Sequence, residues 1–133
     1  MDDFYTDEWI YNYEHPHNKG SIANPDAEVH EHNPVCGDDI KVFIKISKGK
    51  LTDIKFEGAG CVISMGTASM LTEHMKGKSI DYVEKFGVSD LLKFIGIDPG
   101  PSRLHCATIS LRAIKEAVFL YEHKKVSDDT KKL

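Results

Sequence analysis

Five residues of this chain could act together on a metal: Cys36, Asp38, Cys61, His105 and Cys106. The three cysteines are the only ones in 133 residues. An odd number of cysteines, in a chain whose start lacks the basic and apolar segments of a secretory leader, argues against a disulfide framework. A solitary cysteine is usually a small buried hydrophobe. These three sit elsewhere. Cys36 lies in Asn33-Pro34-Val35-Cys36-Gly37-Asp38, a turn-forming stretch. Cys61 follows Gly58-Ala59-Gly60 and opens a predicted helix. Cys106 follows a Pro/Gly loop and falls in the first turn of another. A helix N-terminus offers unpaired N–H groups and the positive end of the helix dipole, which favour thiolate, the form that binds metals and attacks sulfur. Glycines beside Cys36 and Cys61 are expected to leave room for a bulky ligand. Asp38 and His105 each stand close in sequence to one cysteine. Three thiolates with a carboxylate or an imidazole make four ligands, a set that suits tetrahedral zinc or a 2Fe–2S cluster. A structural zinc site is less well matched, because no Cys-x-x-Cys pair is present.

The elements that must position these residues follow from periodicity. Ile40–Ser47 alternates Ile40, Val42, Ile44 and Ile46 with Lys41, Phe43, Lys45 and Ser47, the period of a half-buried strand. Lys48-Gly49-Lys50 can turn the chain into a second strand at Leu51–Phe56, giving a hairpin. Residues 28–32 suit an edge strand. Helices are predicted over residues 3–13, Cys61–Lys76, Ser79–Phe86 and Ser89–Ile95, the last two capped by Ser79 and Ser89. The clearest helix is Leu104–His123, with Leu104, Ala107, Thr108, Leu111, Ile114, Val118 and Tyr121 on one face. Asp98 to Ser102 is a loop. The fold class expected is α+β, a small antiparallel sheet of about three strands covered by helices, with a long C-terminal helix. The size fits a single domain over residues 1–123, with a mobile N-terminal segment over 1–25 and a disordered tail over 124–133.

Composition narrows the partners. The formal net charge is −4, which argues against a broad nucleic-acid footprint. No apolar run reaches the roughly 20 residues of a membrane span. A cytosolic, reducing compartment is expected. His15, His17, His30, His32, His74 and His123 read as surface residues, with His30 or His32 near the site as the exception to watch. Asp39 reads as a solvated neighbour of Asp38, and Met65, Met70 and Met75 as core.

The cysteine motifs resemble those of the IscU/NifU N-terminal domain family of iron–sulfur cluster assembly scaffolds. Asn33-Pro34-Val35-Cys36-Gly37-Asp38 is similar to the first ligand motif, Gly58-Ala59-Gly60-Cys61-Val62-Ile63-Ser64 to the second and Leu104-His105-Cys106 to the last. Tyr13, Pro16, Asn18, Gly20 and Pro25-Asp26-Ala27 fit the family's upstream segment. The resemblance covers about residues 5 to 123. It implies that Cys36, Asp38, Cys61 and Cys106 bind a 2Fe–2S cluster, that Asp38 keeps the cluster labile, and that His105 is an alternative fourth ligand. It implies a cysteine desulfurase as sulfur donor, apo-proteins as cluster acceptors, iron as the metal, and zinc as a candidate in the cluster-free form. It leaves a homodimer open. The branch read by an Hsp70-type chaperone carries Leu-Pro-Pro-Val-Lys before the last ligand. Here Pro101-Ser102-Arg103 departs from that pattern, so a chaperone partnership is not expected. Ser64-Met65-Gly66-Thr67-Ala68-Ser69-Met70 and Cys106-Ala107-Thr108 resemble the SufU branch, which tends to hold zinc. That branch carries an insertion between its second and third cysteines, whereas 44 residues separate Cys61 from Cys106. A scaffold is therefore the favoured reading. A zinc-bound sulfur acceptor that stimulates a desulfurase is the alternative. For Asp38 itself, the ordinary competing role is to cap the turn before the strand.

Overall fold

A computed structural model describes residues 7–34, 37–96 and 98–131, with the side chains of 124–131 left undescribed. The chain runs α1 (Asp7–Glu14), β1 (Ala27–Asn33), β2 (Asp38–Ser47), β3 (Lys50–Ala59), α2 (Val62–Met75), α3 (Ile80–Lys85), α4 (Val88–Ile95) and α5 (Leu104–Lys131). The three strands form one antiparallel sheet in the order β1-β2-β3. The expected α+β architecture is thus present, and α5 continues as backbone helix past His123 to Lys131.

The hairpin forms where the alternation placed it. Ser47 pairs with Lys50, so Lys48 and Gly49 make a two-residue turn. Both have positive φ, 54° and 74°, the geometry that matches the twist of the flanking strands. Ile40, Val42 and Ile44 of β2, with Leu51, Ile54 and Phe56 of β3, point into the core. Ala107, Ile109, Ile114 and Val118 of α5 and Ile63, Leu71 and Met75 of α2 cover them. Among the described residues, no helix is long and apolar enough to cross a membrane.

The N-terminal helix differs from expectation in its packing. Trp9 is 1% exposed, and α1 lies along α2. The Trp9 indole N–H donates to Thr67 Oγ1 at 3.2 Å. The Ser69 hydroxyl donates to Asn12 Oδ1 at 2.7 Å and accepts the His17 backbone N–H at 2.8 Å. Asn18 Nδ2 donates to Thr72 Oγ1 at 3.1 Å. The serines and threonines of α2 therefore satisfy buried donors and acceptors instead of meeting water. Gly66 permits the approach, because a Cβ there would stand 3.0 Å from the Trp9 carbonyl oxygen.

Two smaller differences have local causes. Helix α4 is capped at Gly87 rather than Ser89: the Asp90 carboxylate reaches back to accept the Gly87 N–H at 2.9 Å. His74 is half-buried rather than solvent-facing. It packs beside Phe94 and Phe86, and its Nε2 is 2.7 Å from the Tyr82 hydroxyl. Burial, reinforced by nearby Lys78, holds this imidazole below its ordinary 6.5. The folded state then resists a proton that the unfolded chain accepts. Its contribution to stability is complete above pH 6.5 and is lost as pH falls below that value. In urea titrations between about pH 7 and 5.5, His74→Phe is expected to flatten the decline in stability seen for the wild-type chain. An unchanged slope would contradict the placement.

Candidate metal centre

Antiparallel pairing brings the start of β2 and the end of β3 to one edge of the molecule. The N-termini of α2 and α5 open there as well. Asp38 begins β2, Cys61 is the N-cap of α2 and Cys106 lies in the first turn of α5. One ligand atom from each of Asp38, Cys61 and Cys106 lies within 4.8 Å of the others. Three segments separated in sequence thus converge on a volume the size of a metal ion and its ligands. Cys36 lies outside the described residues. His105 is exposed and does not join the group.

Asp38 is fully buried, and its two oxygens do different work. Oδ1 accepts the Cys61 backbone N–H at 3.2 Å and the Ser64 hydroxyl at 2.9 Å. Oδ2 is buried and has no hydrogen-bond partner among the described residues. A buried carboxylate oxygen without a partner is costly, and a metal ion would satisfy it. Sequence considerations set a cap of the turn before the strand against a ligand role. Oδ1 instead ties β2 to the start of α2 through Cys61 and Ser64, and Oδ2 is left for a ligand.

Cys61 caps α2 through sulfur. Its Sγ accepts the Ser64 backbone N–H at 3.4 Å, and its backbone is extended at φ −80°, ψ 174°. Cys61 is exposed, whereas Cys106 is 3% exposed. The centre therefore has one thiol open to solution and one set into the core. Two sulfurs and one carboxylate oxygen fit zinc or iron, with a position left for a further ligand. Ser64 was not singled out from the sequence. Its signal is its place three residues after the N-cap, where hydroxyl and N–H both face back toward the cap.

The glycines serve this arrangement differently from the room for a ligand expected of them. At Gly60 a Cβ would stand 2.4 Å from Ser64 Oγ and 2.6 Å from Asp38 Oδ1. Gly60 makes room for the carboxylate–hydroxyl pair, not for a bound group. Gly37 has open space around it, and its requirement is its φ of 75°. Gly60→Ala is expected to destabilise the metal-free chain by about 1–3 kcal/mol in urea unfolding, because a buried pair must move. A neutral substitution would contradict this packing.

A wide surface cavity of about 880 Å³ runs along α5 past Val88, Leu111, Arg112, Glu116 and Phe119, and holds none of these ligands. The cavity that borders the centre is smaller, about 420 Å³, between Tyr13, Met65 and Gly58 to Gly60. Ligand chemistry, not size, marks the site.

A chain with this sheet and this ligand edge can be compared with known proteins. The model of the NifU-like N-terminal domain matches residues 4–128. The chain belongs to that family. Among NifU-like relatives, the zinc-dependent sulfurtransferase SufU of Bacillus subtilis is 33% identical over 135 residues, covering 89% of this chain and 91% of that protein. The iron–sulfur cluster assembly scaffold protein IscU of Escherichia coli is 33% identical over 125 residues, covering 91% and 96%. The crystal structure of the N-terminal part of a NifU-like protein from Brucella abortus superposes with a TM-score of 0.79, covering 92% of this chain and 97% of that one. At 21% identity it speaks for the fold alone.

Proposed function

We propose that this chain is an assembly scaffold. It collects iron and sulfur at the Cys36, Asp38, Cys61 and Cys106 edge, builds a 2Fe–2S cluster there and passes it to apo-proteins. The observation that carries this reading is Asp38 Oδ2, buried with no hydrogen-bond partner among the described residues and set beside the Cys61 and Cys106 sulfurs, a group that three separate elements bring together. A mixed oxygen and sulfur site suits a transient cargo. Thiolates hold cluster iron firmly, and a carboxylate is a harder, weaker partner that exchanges more readily. The exposed Cys61 leaves the site open to a sulfur donor, for which the chemistry requires a persulfide and hence a cysteine desulfurase. The cluster is cargo, and the chain works as a carrier rather than a catalyst. His105 stands next to Cys106 as a candidate ligand for an opened or partly loaded centre.

A second reading has a specific observation behind it. The same donors suit a resident zinc ion, and a zinc-dependent sulfurtransferase is among the relatives. In that reading Asp38, Cys61 and Cys106 hold zinc, and the chain accepts sulfur without carrying iron. Elemental analysis of protein purified without oxygen, before and after incubation with ferrous iron and sulfide, separates the two. Iron and acid-labile sulfide that replace any zinc are expected of the scaffold. Stoichiometric zinc that survives the treatment would favour the sulfurtransferase.

A further inference from the structure

We propose that His30, His32 and Asp39 form a second metal site, for one divalent transition-metal ion, on the outer face of the sheet. His30 and His32 are two residues apart on β1, so a strand's alternation puts both imidazoles on the same face. Asp39 pairs directly with His32 across the β1–β2 ladder, and its side chain is on that face too. Asp38, one residue earlier, points into the cysteine centre instead. The two sites therefore lie on opposite faces of β2.

Both imidazoles converge on one carboxylate oxygen. His30 Nε2 is hydrogen-bonded to Asp39 Oδ1, and His32 Nδ1 is 3.7 Å from the same atom. Ligands around an ion at about 2.0 Å stand roughly 3.4 Å apart in tetrahedral geometry, so the two imidazoles, each already directed at Asp39, must also turn toward each other to complete the set. All three are open to solvent and free to make that adjustment. The cation that could compete is turned away: Lys41, opposite His30, is paired with Glu28 at 3.6 Å and lies over the Phe43 ring. Without a metal, histidines sharing an exposed carboxylate contribute little to the fold. Two imidazoles and a carboxylate suit zinc, nickel, copper or ferrous ions and leave about half the coordination sphere to water. Such a site binds without thiolates and exchanges readily with solution.

The test uses the untagged chain at about pH 7.5, where ordinary imidazoles are neutral. Zinc titration by calorimetry is expected to resolve two classes of site in the wild-type chain. His30→Gln/His32→Gln should lose one class and keep the other, and Asp39→Asn should weaken the same class about tenfold or more. Substoichiometric nickel added to the wild-type chain should broaden the His30 and His32 ring resonances, a readout that depends on no variant. Equal stoichiometry and affinity in wild type and the double variant, or His30 and His32 resonances untouched by nickel, would overturn the proposal. Cluster formation on the cysteines is a separate measurement, so failure here leaves the scaffold reading standing.

Discussion

Trp9→Ala is expected to destabilise the chain by about 3–5 kcal/mol, the range for truncating a buried aromatic. The indole is 1% exposed, donates to Thr67 and packs over Gly66. Truncation leaves a cavity between α1 and α2 and strands the Thr67 hydroxyl. The effect should reach the metal edge, because α2 is the helix whose N-terminus presents Cys61. Urea unfolding of the metal-free chain measures it directly. A loss below about 1 kcal/mol would mean that α1 is only loosely attached, as its acidic, aromatic composition alone suggests.

Asp38 separates stability from ligation through a pair of variants. Asp38→Ala strands the Cys61 N–H, at a cost of about 1–3 kcal/mol, and removes one of two acceptors of the Ser64 hydroxyl, which keeps the Cys61 carbonyl oxygen at 3.2 Å. It also removes the partnerless Oδ2. Asp38→Asn keeps an acceptor oxygen toward Cys61 and Ser64 and places a non-ligating amide where Oδ2 stood. The alanine variant is expected to lose both stability and metal affinity. The asparagine variant should melt close to wild type while binding zinc about tenfold or more weakly in a competition titration. Wild-type affinity in both variants would restrict Asp38 to its structural hydrogen bonds.

The sheet and the long helix were legible because a single periodicity dominates each. Ile40, Val42 and Ile44 alternate cleanly, and α5 carries an apolar stripe through Leu111, Ile114 and Val118. The docking of α1 was hidden. Ser69 and Thr72 look like the wet face of an amphipathic helix, yet α2 is covered on both sides and those hydroxyls answer Asn12, His17 and Asn18. Only the mid-helix Gly66 signals the close neighbour, and it does not say which residue arrives. At the site, residue types and spacing single out Asp38, Cys61 and Cys106, which the structure brings together. They could not divide the two carboxylate oxygens between hydrogen bonds to α2 and a ligand, nor assign Gly60 to the Asp38–Ser64 pair. Those depend on through-space approach between β2 and α2. At the start of α4, Ser89 has the composition of a cap, but it is Asp90 that reaches back to the Gly87 N–H, a contact that residue type alone does not signal.

The central claim is that this edge builds a cluster, and anaerobic reconstitution with ferrous iron, a cysteine desulfurase and cysteine tests it most directly, read by visible absorption. The wild-type chain should develop the absorption of a 2Fe–2S cluster and lose it as an apo-ferredoxin gains its own. Cys61→Ser, which keeps a side-chain acceptor at the N-cap of α2, should develop little. A wild-type chain that stays colourless under these conditions, or a Cys61→Ser chain that colours and transfers as the wild type does, would contradict the account.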